Sequence, residues 1–284
     1  MLKKLLKYEL MSTGRVFGLC YVGVLGAALL LRLLSALAWD HSGGQTALDV
    51  LLPMADIAAG ISSLLYGGMV VAVIVVTFVF ILQRFYKNLL GGEGYLMQTL
   101  PVTPRQLIFS KLLAAIVWTV LSSIVVIFSV FVLAMTGEVF GELIGGLGEM
   151  IRWYHEMFSM PLLLVAFEML LVGLVGIAAS VLQIYAAIMI GHQAAKHKVA
   201  LAVGAYFGIS VALGVAASVV MNVLYRAVPG GAWNALAEWI GSMNETPLLL
   251  VHMILLGSFV CNLVLAVIFF AVTEWMMRRN LNLE

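Results

Sequence analysis

Charge is what this sequence has least of. Aspartate, glutamate, lysine and arginine make up 10% of its 284 residues, against about 25% in an ordinary soluble domain. With 63% of the residues hydrophobic and a mean hydropathy of +1.11, no soluble core could hide the apolar surface. Cysteine is scarce as well. Cys20 and Cys261 both fall inside apolar runs, where a thiol acts as a small apolar group, so a disulfide framework and a cysteine metal cluster are excluded. Two catalytic signatures are also missing. No G-x-x-x-x-G-K-[ST] loop occurs, which excludes cradling ATP phosphates in that manner, and no H-E-x-x-H helix occurs. His192 and His197 are five apart in "GHQAAKHKV", off the four-residue spacing that stacks two ligands on one helical face.

What the chain does have is long apolar runs, at about 17–38, 57–82, 112–135, 161–190, 199–221 and 248–273. A helix needs about 20 apolar residues to cross roughly 30 Å of hydrocarbon, and none of the runs shows the alternation of a barrel strand. The expected fold is an all-α integral membrane protein: one transmembrane domain over 1–284 with six spans. "SALAW" at the end of the first run resembles a signal cleavage site, but that run is longer than the usual 7–15 apolar residues and is read as a retained span.

The few charges are sorted by side. Of the 15 lysines and arginines, 12 fall on one side of a six-span chain: Lys3, Lys4, Lys7, Arg15, Arg84, Lys87, Arg105, Lys111, Lys196, Lys198, Arg278 and Arg279. The other side carries acids at Asp40, Asp49, Asp56, Glu138, Glu142, Glu149, Glu156, Glu238 and Glu245. The positive-inside rule then places both termini in the cytoplasm.

Between the spans, three segments have character of their own. "MLKKLLKYELM" sets leucines on one helical face and lysines on the other, predicting an interfacial helix over 1–16. Residues 137–158 repeat apolar side chains at helical spacing but are too charged to cross, predicting an amphipathic helix on the outer surface. The last outer loop, 226–247, carries Trp233 and Trp239, which suit the interfacial aromatic belt.

Within the spans, Gly204, Gly208, Ala212 and Ala216 form a four-residue stripe that lets another helix approach closely, inside the chain or in an oligomer. Arg32 and Glu168 are the deep charges. Arg32 lies six residues inside the outer end of its span and Glu168 seven past Pro161, about 9 and 10 Å in. Their matching depth predicts an ion pair, since a lone charge at a helix centre costs about 2.5–3.5 kcal/mol. His252 enters the last span near its outer end, where its tip can reach the interface.

The most structured insert is "GGEGYLMQTLPVTPRQLIFSK", between the second and third runs. Tyr95, Leu96, Thr99 and Leu100 recur at helical spacing, and Pro101 and Pro104 forbid a helix continuing through Thr103. The insert therefore reads as a short helix followed by a rigid turn.

That insert resembles the first cytoplasmic loop of bacterial ABC transporter permeases of the ABC-2 type, with Glu93, Gly94, Leu100, Pro101, Val102, Ser110 and Lys111 on the pattern. The resemblance implies a coupling loop over 83–111 whose coupling helix, at Glu93, Gly94, Tyr95, Leu96, Thr99, Leu100 and Pro101, docks on a separate nucleotide-binding ATPase subunit. It also implies a second permease chain, identical or related, and a place in a bacterial cell membrane. ATP and magnesium would belong to the partner. This chain would then be a transport subunit, not an enzyme, without cofactor or metal and without nucleic acid among its partners. The cargo class implied is an amphipathic or hydrophobic peptide, lipid or drug. The alternative is a secondary transporter or channel acting alone, for which Arg32 and Glu168 are the hints. An intramembrane enzyme lacks a catalytic pair.

Overall fold

The computed structural model describes residues 2–39, 52–89, 102–134, 137–157, 162–194, 197–227, 238 and 247–279. They form seven long helices: α1 (Leu2–Trp39), α2 (Leu52–Leu89), α3 (Pro104–Ala134), α4 (Gly137–Met157), α5 (Leu162–His192), α6 (Lys198–Ala227) and α7 (Pro247–Arg279). No strand occurs among the described residues. All but α4 are long and apolar enough to cross a membrane, so the chain is an all-α, multi-pass membrane protein. The outward surfaces fit that solvent: Leu64 is 78% exposed and Leu163 81%, which water would penalise and lipid does not.

Helix starts and stops follow local chemistry. α3 begins at Pro104, eight residues before the apolar run that predicted it. Proline suits the first helical position because its missing N–H would have no partner there. Thr103 caps it: the Gln106 N–H donates to Thr103 Oγ1 at 3.4 Å, and the Thr103 N–H donates to Gln106 Oε1 at 3.3 Å. That reciprocal pair is a capping box. At the N-terminus the predicted interfacial segment and the first span form one helix, and α1 runs unbroken from Leu2 to Trp39. Nothing in that stretch breaks a helix, since Gly14 and Gly18 cost only about 1 kcal/mol each relative to alanine.

The chain packs as two compact units, Met1–Gln83 with Leu113–Gly146, and Arg84–Leu112 with Leu147–Glu284. In the first unit, Phe17 of α1 stacks on Trp118 of α3 (centroids 4.2 Å apart, planes 7° apart) and meets Phe80 of α2 edge-on at 5.3 Å. Deeper in, Ser122 Oγ lies 2.8 Å from Tyr21 Oη and 3.0 Å from Thr77 Oγ1, joining all three helices through one hydroxyl. A further bond joins Tyr66 Oη to Ser129 Oγ at 2.9 Å. Lipid is as apolar as leucine, so helices in it associate through such close packing and hydrogen bonds.

In the second unit α5 is the central helix. Its latter half is buried nearly all round, including Ala179, Leu182, Tyr185 and Met189, as expected of a helix apolar on every face. It packs against both α6 and α7. The contacts with α7 run in step, 168 with 252 and 176 with 262, so α5 and α7 are parallel. Those with α6 run in opposition, 183 with 210 and 191 with 202. The turn between α5 and α6 is tight. A Cβ on Gly191 would lie 2.4 Å from the Ala202 backbone nitrogen, and His197 takes a left-handed φ of 59°.

Candidate functional site

Two polar clusters stand out in the second unit, one at each end of α7. The first lies where α5 and α7 begin. His252 Nδ1 and Glu168 Oε2 are 2.5 Å apart, a hydrogen bond between imidazole and carboxyl. The two side chains come from the same level of two parallel helices: Glu168 is six residues past Leu162, His252 five past Pro247. Their side chains are 31% and 21% exposed. His252 Nε2 is sealed from solvent and has no hydrogen-bond partner among the described residues. One turn nearer the helix ends, Tyr154 of α4 is buried beside Val165, with Leu162, Val251 and Leu255 against them. A tyrosine thus closes the end of the bundle beside the Glu168–His252 pair.

Sequence reasoning gave these two residues different fates. His252 was expected to reach toward the interface; in the structure its Nδ1 meets Glu168 across the parallel α5–α7 packing. Glu168 was expected to meet Arg32. Within its own unit its partner is His252, while Arg32 belongs to the other unit and is half-buried there.

The second cluster lies at the opposite end of α7. Glu274 Oε1 accepts from Arg105 Nε and from Arg278 Nη2, each at 2.7 Å. The carboxylate side chain is 11% exposed and the two guanidinium side chains more than half. Arg105 stands in the first turn of α3, within the capping box, so the base of α3 is tied to α7. The tail of α2 is held by stacking: Phe85 lies on Tyr185 of α5 with centroids 4.0 Å apart, and Tyr86 meets His192 edge-on at 6.0 Å. Sequence reasoning missed Glu274 as a site. Its signal was present, a lone acid at the end of an apolar run with an arginine four residues on.

The proposed coupling residues Glu93, Gly94, Tyr95, Leu96, Thr99, Leu100 and Pro101 lie outside the described residues. The small-residue stripe of Gly204, Gly208, Ala212 and Ala216 is exposed on α6, and a Cβ at Gly204 or Gly208 would meet nothing within 4 Å. It therefore does not serve packing within its own unit. An open groove passes Gly214, Ser218, Asn222 and Arg226 of the same helix; a single helix lines it, so it encloses no site. Among the described residues no group of three or more His, Cys, Asp or Glu side chains could hold a metal ion. Comparison with protein-family models, with characterised proteins and with solved structures gives no match to this chain.

Proposed function

We propose that this chain is the membrane-spanning permease subunit of an ATP-binding-cassette exporter, working with a separate ATPase chain. The observation that carries the reading is how the 90–101 insert is mounted. It hangs between the tail of α2, held to α5 by Phe85 on Tyr185, and the capped start of α3, held to α7 by Arg105 on Glu274. Both flanks thus carry ties to neighbouring helices of the second unit. A loop that passes force from a soluble partner into the spans needs them on both flanks. The motif residues from Glu93 to Pro101 then form the docking helix, and the sorting of lysines and arginines puts this loop and both termini in the cytoplasm. The exposed α6 stripe favours pairing with a second permease chain. The cargo in this reading is amphipathic or hydrophobic, and the protein resides in a bacterial cell membrane.

The test is a charge in the docking face. Leu96→Asp or Leu100→Asp leaves insertion intact, because neither residue is in a span, while transport-linked ATPase activity falls as a carboxylate is buried in the contact. Normal assembly and activity in both variants would reject the docking role.

One observation favours the other reading, a secondary transporter acting alone. Glu168 and His252 form an ionisable pair within the spans, and such residues often mark ion pathways. Gradient-driven uptake by the purified chain in liposomes, with no ATPase present, would favour that reading over the permease.

A further inference from the structure

We propose that α4 is a membrane-surface helix, lying along the bilayer with its apolar face in the lipid of the leaflet where α5 and α7 begin. Because α4 does not cross, α3 ends and α5 begins at the same surface. Two residues separate α3 from α4 and four separate α4 from α5. At 3.8 Å between successive Cα atoms, those links reach at most about 11 Å and 19 Å. With 21 residues, α4 is about 31 Å long. Near its other end Tyr154 is buried against the first turns of α5 and α7. Both ends of α4 are thus held near the surface, and a helix held at both ends lies along it.

The side chains then decide what the helix meets. Ile144, Leu147, Ile151 and Tyr154 follow at intervals of three, four and three, one face of an α-helix. Tyr154 seats that face on the bundle. The other three continue it uncovered, with Ile144 at 53%, Leu147 at 46% and Ile151 at 40% exposure. Glu142, Glu149 and Arg152 are exposed as well, on the opposite side. An uncovered apolar face backed by charges, on a helix held at both ends near the surface, has the form of an interfacial helix. The proposal does not depend on the permease reading.

The experiment uses the full-length chain in phosphatidylcholine bilayers, with Cys20 and Cys261 replaced by serine. Single nitroxides are placed at Glu142→Cys, Ile144→Cys, Leu147→Cys, Glu149→Cys and Ile151→Cys. Collision rates with oxygen, which concentrates in lipid, and with a water-soluble nickel chelate are compared. The oxygen-to-nickel ratio at 144, 147 and 151 is expected to exceed that at 142 and 149 several-fold. High nickel accessibility at all five positions would overturn the proposal in favour of a helix standing in water. Protection of 144, 147 and 151 from both reagents would overturn it in favour of a protein cover, such as a second copy of the chain.

Discussion

Removing His252 should harm this protein more than removing His252 and Glu168 together. Glu168 sits about 9 Å along α5 from its first residue, and within its unit it pairs with the His252 imidazole at 2.5 Å. A hydrogen bond to a charged group contributes about 1.5–3 kcal/mol, and an abandoned buried polar group costs about 1–3 kcal/mol. His252→Phe strands the carboxylate in a site 31% exposed, for an expected loss of about 2–3 kcal/mol, partial exposure keeping it below the cost at a helix centre. Glu168→Leu strands an imidazole and should cost about 1–2 kcal/mol. The double variant replaces the pair with two apolar side chains and should cost less than His252→Phe alone, because removing both partners is often near neutral. The coupling energy is then on the order of 2 kcal/mol, measurable as unfolding free energy in mixed micelles. Coupling below about 0.5 kcal/mol, the scatter of independent sites, would refute the pairing. The same cycle with Arg32→Met and Glu168→Gln tests the ion pair expected from matching depths.

Gly191→Ala should destabilise the second unit by about 1–3 kcal/mol, the usual cost of overpacking, since its methyl would sit 2.4 Å from a backbone nitrogen that cannot swing aside. A normal unfolding midpoint would mean that the α5–α6 turn is looser than the structure has it. Sidedness is checked with an impermeant thiol reagent on a chain lacking Cys20 and Cys261. Gly92→Cys and Ala195→Cys should react only from the cytoplasmic side, and Glu149→Cys and Glu238→Cys only from outside; outside labelling at 195 would overturn the topology.

The six spans were legible because crossing hydrocarbon leaves a long-range mark, about 20 apolar residues in a row, that no neighbouring helix can erase. The helix α4 was legible too, since its apolar side chains recur at a fixed helical period. Ends were harder. The start of α3 lies in a segment that composition marks as a turn, and only the Thr103–Gln106 capping box shows that the helix has already begun. The unbroken α1 was missed because a change from amphipathic to apolar character looks like a boundary, though the backbone has no reason to stop. Lateral partners were the least legible. Glu168 and His252 are 84 positions apart, and only the parallel packing of α5 on α7 brings them to one level. Depth alone offered Arg32 as well. The same blindness covers the α6 stripe, whose spacing states that a close approach is possible but not which helix makes it.

The proposed function requires a separate nucleotide-binding ATPase subunit. Purifying the tagged chain from its native membranes, in mild detergent and without crosslinker, tests it most directly. The account predicts that a nucleotide-binding ATPase subunit comes with it in fixed stoichiometry, and that ATP hydrolysis by the complex falls in Leu96→Asp. A chain that purifies without any ATPase, and still transports when reconstituted alone under an ion gradient, would contradict it.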